Sequence, residues 1–461
     1  IREAFFQSAG DIAKSALQRD WASLDEPLTR ILYGLFDPMT CDKNGTPYNS
    51  STSTSYVWPT EEELAAKYDP VRGYTAGNNI YYSFDWRLDL ATLADGFRDF
   101  LNYVLETTGA ESADVIGSSM GACVLATYMD RYDCAGLHKT VFLSGAFRGA
   151  SVAGDAFAGR FAFDAETMAE FFTSLTGRDL KSEMLDVLID VLYQQGIVTG
   201  VTGIARNIND YAMQKVYSQV LSVIFGRIPG FWALIPAERY EEAKTNFIMG
   251  LVTQTFIDKI DYYHDVQSRL VDILSGASKK GVSVSILSKY GTSGIPAVEA
   301  QRNMTDMVVD TKYSSLGAGC ALFNEPFDAD RVQAVDDGFD RISPDRYIDA
   351  STCEFPEITW FLKNVKHTVH PDAEYEMLDE LFAFPGQPTV HDLERYPQFL
   401  IFTEDGEITE LTEENDYAMY TDLELGGDFW ARQKNVITDV FRLFSLLAET
   451  IRRSLASVFG L

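Results

Sequence analysis

The sequence predicts an α/β fold: a mostly parallel sheet flanked by helices, interrupted by a large helical insertion. Three observations carry that expectation. Short β-rich runs alternate with helical spacing between residues 80 and 143. A Gly/Ser turn sits between a strand and a helix at 117–121. The alternation gives way over residues 150–278 to successive amphipathic helices, and strand patterning resumes at 282.

The elements follow in order. Residues 80–84 form a β-rich run. Residues 92–107 carry helical spacing through Leu93, Phe97, Phe100, Leu101, Val104 and Leu105. A short apolar strand at 114–116 leads into the Gly/Ser turn, a helix at 122–129 and a buried strand at 140–143. Within the insertion, helices are expected at 165–175, 180–195, 209–225, 240–259 and 265–275. Strands return at 282–287 and 358–362, followed by a helix near 373–381. A hairpin is expected from 398–402 and 408–411 around Asp405-Gly406, and an amphipathic helix closes the chain through Ile437, Val440, Phe441, Phe444, Leu447, Ala448, Ile451 and Leu455. That helix is expected to dock on the domain, since three arginines are too few basic residues to favour a membrane surface. Domain boundaries follow: a first core part with an N-terminal extension at 1–149, the cap insertion at 150–278, a second core part at 279–388, and a C-terminal hairpin and helix at 389–461.

Length and charge bound the function. A chain of 461 residues is long for one compact domain, which suits a core with a large insertion. The formal charge of −30 argues against nucleic acid or bulk anionic membrane as a partner. No apolar run is long enough for a transmembrane helix. The five cysteines, Cys41, Cys123, Cys134, Cys320 and Cys353, lack the spacing of a zinc or redox motif; a Cys320–Cys353 bridge and free buried thiols are both open readings. No Gly-rich phosphate loop or metal-ligand cluster is visible, so no cofactor and no metal are implied.

The chemistry centres on Gly117-Ser118-Ser119-Met120-Gly121. A G-x-S-x-G run after an apolar strand and before a helix is the nucleophile elbow of α/β-hydrolases, and it narrows the fold class to that one. The turn is tight enough that both glycines are expected to be required sterically. Ser119 is then the nucleophile, and the N–H of Met120 helps hold an oxyanion. A serine needs a base oriented by an acid, and in this fold the chain order is Ser, Asp or Glu, His. Of the five histidines, His367 lies just past the late strand at 358–362 and is the first choice, with His370 three residues on as the alternative. His138 is expected at the surface, His264 in the insertion, and His391 beyond the last core strand. For the acid, Asp306 is the choice and Asp310 the alternative, both following the strand at 282–287.

These residues resemble the lecithin:cholesterol acyltransferase family, which includes phospholipid:diacylglycerol acyltransferases and related phospholipases. Tyr82-Ser83-Phe84-Asp85-Trp86-Arg87-Leu88 resembles that family's Tyr-Asp-Trp-Arg segment, and the elbow is similar to its own. Thr305-Asp306-Met307-Val308-Val309 resembles its acid loop, and Asn364-Val365-Lys366-His367 its base loop. The resemblance thus implies a Ser119, Asp306, His367 triad. The segment Ile228-Pro229-Gly230-Phe231-Trp232-Ala233-Leu234-Ile235-Pro236 resembles the family's lipid-facing cap segment, so Phe231 and Trp232, with Trp86 of the segment at 82–88, are expected to contact substrate, core packing being the alternative for the cap aromatics. In the family an apolar strand ending in Pro-Gly comes first, and its loop supplies a second oxyanion donor. No such strand is found here, so this chain, which opens on Ile1, is expected to begin downstream of it and to lack half of the oxyanion hole.

The resemblance implies a lipase, phospholipase or acyltransferase acting on a lipid or other acyl ester, with transient contact at a lipid interface. Exported bacterial relatives of the family suggest an extracellular or cell-surface location. Two alternatives stand beside it: a short-chain esterase or peptidase on the same triad, and a non-catalytic α/β-hydrolase-like binding protein.

Overall fold

The computed structural model describes residues 39–48, 58–69, 73–160, 223–248, 252–294 and 298–417, and every one of them falls in one compact unit. Its centre is a six-stranded sheet: β1 (Ala113–Ser118), β2 (Leu137–Leu143), β3 (Ser283–Tyr290), β6 (Thr359–Lys363), β7 (Phe399–Phe402) and β8 (Ile408–Glu410), in that spatial order. The first five run parallel, and only β8 is antiparallel to its neighbour. A two-stranded antiparallel ribbon, β4 (Gly319–Cys320) with β5 (Ile348–Asp349), stands apart.

The parallel strands read as apolar runs because both sheet faces are covered. Along β2, Phe142 enters one core cluster while Val141 and Leu143 enter another. Along β3, Val284 and Ile286 face the first cluster and Leu287 the second. The first cluster is closed by α1 (Leu90–Thr108), α2 (Met120–Tyr132) and α5 (Leu270–Lys279), the second by α6 (Asp372–Ala383). Helix α1 buries Leu90, Leu93, Ala94, Phe97, Phe100 and Leu101, spaced three and four apart on one face. Each such Leu or Phe contributes roughly 1.5–3 kcal/mol on burial. The Asp89 carboxylate caps its start by accepting from Thr92 N at 3.0 Å, and Gly109, at φ 70°, ends it in the left-handed turn that glycine adopts without strain.

Between β2 and β3 the described chain is helical, with α3 (Ala237–Phe247) and α4 (Gln254–Ser268) preceding α5. The single helix expected at 240–259 is therefore two. Thr253 opens the second one, its hydroxyl accepting from Phe256 N at 3.3 Å. The expected helices at 165–175 and 180–195, most of 209–225, and the C-terminal helix lie outside the described residues.

Two further expectations change. Residues 80–84 make no strand, and Tyr82 and Phe84 pack on the first core. The hairpin expected from 398–402 and 408–411 forms as β7 and β8, but β7 also pairs with β6, so the sheet runs across the boundary expected at 388.

Candidate active site

Ser119 occupies the junction of β1 and α2 at φ 53°, ψ −123°. An L-residue reaches that conformation only under strain, of order 1–3 kcal/mol. The surrounding backbone enforces it. Ser119 N donates to Leu143 O at 3.1 Å, and Ser119 O accepts from Ala122 N at 3.0 Å and Ala146 N at 3.1 Å. Gly117 is tightly enclosed: a Cβ there would lie 3.1 Å from Ala122 Cα, Gly121 O and Leu125 Cδ2, so two backbone neighbours would have to give way. Gly121 departs from expectation, since a Cβ there would meet nothing within 4 Å.

Asp306 is wholly buried in the loop that follows β3. Its Oδ1 accepts from Val308 N at 3.0 Å and Val309 N at 2.8 Å, while Thr305 Oγ1 accepts from Met307 N at 2.8 Å. Side chains thus satisfy three successive amides, and Met307 takes φ 91° to let the chain turn back. That leaves Asp306 Oδ2 for His367.

His367 lies between β6 and α6, its side chain 10% exposed. Its Nδ1 stands 2.7 Å from Asp306 Oδ2 and its Nε2 2.8 Å from Ser119 Oγ. The carboxylate only accepts, so this network assigns the ring proton to Nδ1 and leaves Nε2 to accept from the Ser119 hydroxyl. The three residues selected from the sequence are thus brought together in the order serine, imidazole, carboxylate, from three loops at one end of the parallel strands.

The alternatives are otherwise engaged. Asp310 accepts from Ser151 N at 2.7 Å and Asn303 Nδ2 at 2.6 Å, bracing the acid loop without reaching His367. His370 Nδ1 pairs with Glu374 Oε1 at 2.7 Å. His138 pairs with Asp114 at the surface, and His391 stacks on Phe339 with centroids 4.2 Å apart. His264 is buried, its ring 3.5 Å from that of Tyr240 and its Nε2 3.0 Å from Trp232 O; burial pushes its pKa down to about 4.

Met120 begins α2, so its N–H belongs to the first turn, where amides lack intrahelical acceptors and the helix dipole favours negative charge. The 228–236 segment leans on this point. Gly230 N donates to Arg87 O at 3.3 Å, and a Cβ on Gly230 would fall 1.9 Å from Trp86 O and 2.8 Å from Met120 Cε. Below it, the buried Arg87 guanidinium grips Asp85 through Nε–Oδ1 at 2.9 Å and Nη2–Oδ2 at 2.6 Å.

The three expected contact residues part company. Trp86 and Phe231 are half-buried, and Phe231 stacks on Phe157 with centroids 5.3 Å apart. Trp232 is fully enclosed, donates from Nε1 to Gly226 O at 3.0 Å, and packs edge-on to Phe157, Tyr240 and Phe256. It is core, with no face left for a ligand. The five cysteines are free, so Cys320 and Cys353 are not bridged; burial pushes the Cys123 and Cys353 thiols up to about 12, which keeps them protonated and inert.

Sequence reasoning missed the enclosed charges beside the base loop, Lys289 and Glu374, both wholly buried. The signal was a lysine two residues past the strand expected at 282–287, where β3 continues to Tyr290.

Compared with family models, with curated proteins and with solved structures, the chain matches none of them.

Proposed function

We propose that this protein is a serine-dependent acyl-ester hydrolase or acyltransferase with an α/β-hydrolase fold, acting on lipid-like esters as the lecithin:cholesterol acyltransferase family does. One observation carries the reading: the unbroken run from Ser119 Oγ through His367 Nε2 and Nδ1 to Asp306 Oδ2, at 2.8 and 2.7 Å. Its geometry is that of a primed nucleophile, within hydrogen-bond reach of a base whose far nitrogen is held by a buried carboxylate.

In the proposed reaction, Ser119 Oγ attacks the acyl carbonyl carbon as its proton passes to His367 Nε2. Negative charge collects on the carbonyl oxygen, towards which Met120 N–H donates. The tetrahedral species collapses, the ester C–O bond breaks, and the leaving alkoxide takes the proton from Nε2. Water or an alcohol then attacks the acyl-enzyme, giving its proton to Nε2; the bond between the acyl carbon and Ser119 Oγ breaks as Nε2 returns the proton to Oγ, releasing the acid or the new ester. Asp306 stays ionised and stabilises the imidazolium. The lipid-like substrate rests on the family resemblance, and the half-buried Trp86 and Phe231 are the apolar side chains it leaves available for contact.

Two measurements test this. A fluorophosphonate should label the protein at Ser119 and fail to label Ser119→Ala; an unlabelled, well-folded wild type would leave a binding protein. Across nitrophenyl esters of rising chain length, kcat/KM should increase towards long acyl groups. A fall with length would move the reading to a short-chain esterase.

A further inference from the structure

We propose that Lys289 and Glu374 are positioning residues that hold the loop carrying His367 at its working distance from Ser119; this rests on reading Ser119 and His367 as nucleophile and base.

The loop runs from the end of β6 at Lys363 to the start of α6 at Asp372. Two adjacent residues of β3 hold it at points five residues apart. Tyr290 O accepts from Asn364 N at 3.0 Å, where Asn364, at φ 69°, turns the chain out of β6. Lys289 Nζ donates to Val369 O at 2.7 Å, two residues beyond His367. Glu374, in the first turn of α6, fixes the ammonium in turn: Oε2 lies 2.6 Å from Nζ, outside hydrogen-bonding angles, while Oε1 takes His370 Nδ1 at 2.7 Å. Nζ also stands 3.4 Å from His370 Nδ1. His367 therefore sits between an anchor at Asn364 and a double anchor at Val369 and His370.

Stability alone is a poor reason for such a pair. Both side chains are 0% exposed, and removing two charges from water commonly costs as much as their attraction returns. An apolar pair would fill the space. What it would lose is the donor to Val369 O and the grip on His370, hence the fixed height of His367. A ring shifted by about 1 Å loses on the order of a hundredfold in rate.

Two charge-neutral double variants separate positioning from bulk stability. Lys289→Met/Glu374→Met keeps volume and removes every hydrogen bond; Lys289→Gln/Glu374→Gln keeps volume and retains a donor towards Val369 O and an acceptor or donor towards His370. With a nitrophenyl ester as substrate, the Met pair should lose at least tenfold in kcat with KM within twofold of wild type and a near-native melting temperature. The Gln pair should recover kcat to within about threefold of wild type. Wild-type kcat in a folded Met pair would overturn the proposal, as would equal losses in both pairs that track their melting temperatures. If the Met pair does not fold, His370→Ala serves, since that ring is partly solvated: a several-fold loss of kcat at constant KM is expected, and wild-type kcat would count against the anchor. Fluorophosphonate labelling of the wild type at Ser119 is read first. Its absence removes the catalytic reading itself, whereas equal labelling rates in wild type and folded variants remove only the positioning role.

Discussion

Asp306 holds His367 twice. Its carboxylate takes the ring at Nδ1, 2.7 Å away, and its main-chain carbonyl accepts from the His367 amide at 2.8 Å. One contact sets the tautomer and orientation of the imidazole, and the other ties the two backbones at His367 itself, between the anchors at Asn364 and Val369.

Asp306→Asn leaves the main-chain tie intact and offers an amide where Nδ1–H needs an acceptor. The ring then favours the tautomer that cannot accept from Ser119. We expect kcat for ester turnover to fall roughly ten-thousand-fold, with a near-native melting temperature. A loss below about tenfold would mean that Asp306 does not orient the base.

Strain at Ser119 predicts an opposition between activity and stability. Ser119→Gly removes the nucleophile and lets a residue without Cβ occupy φ 53°. Fluorophosphonate labelling should vanish while unfolding free energy in urea rises by about 1 kcal/mol. A destabilised glycine variant would show that the conformation is not strained.

The elbow glycines should behave differently. Gly117→Ala forces a methyl group against Ala122 Cα and Leu125 Cδ2 and should cost about 1–3 kcal/mol. Gly121→Ala enters open space in the first turn of α2 and should be neutral or gain up to about 1 kcal/mol. Paired thermal melts decide it; equal losses would contradict the packing described.

Gly230→Ala tests the contact between the 228–236 segment and the oxyanion side. No rotamer relieves a Cβ 1.9 Å from Trp86 O, so the segment must lift from Trp86 and Met120. We expect kcat to fall along with stability, the latter by about 1–3 kcal/mol. An unchanged kcat would separate this segment from the site.

His264 gives a pH dependence away from the triad. Burial holds its folded pKa at about 4, against roughly 6.5 in an unfolded chain. Below about pH 6.5 the unfolded chain binds a proton that the folded protein refuses. The contribution is complete above that pH and is lost as pH falls towards 4, by at most about 3 kcal/mol. His264→Gln should flatten the loss of stability between about pH 7 and 4.5 in urea titrations, and an unchanged slope would show that the ring is not buried neutral.

Much of the site was legible because its constraints are local or ordered. The strand, glycine and helix around Ser119 share one short stretch, and chain order then narrowed the acid to Asp306 or Asp310 and the base to His367 or His370. What escaped depends on tertiary neighbours. Phe231 and Trp232 are adjacent in sequence, yet only packing against Phe157, Tyr240 and Phe256 makes Trp232 core. Gly121 carries the motif's letter without its crowding. The run at 80–84 has strand composition, but composition cannot supply a pairing partner. The break after α3 was visible in hindsight as the cap at Thr253, masked by apolar spacing that continues through it.

The strand order has a mechanical corollary. Strand β3 leads into the acid loop and also clamps the base loop through Lys289 and Tyr290, whereas Ser119 hangs from β1, two strands away. Acid and base therefore ride on a common support and move together when the sheet flexes. The 2.8 Å contact between Ser119 Oγ and His367 Nε2 is the joint between the two supports, and in the proposed reaction it is the link that has to open and close in every turnover.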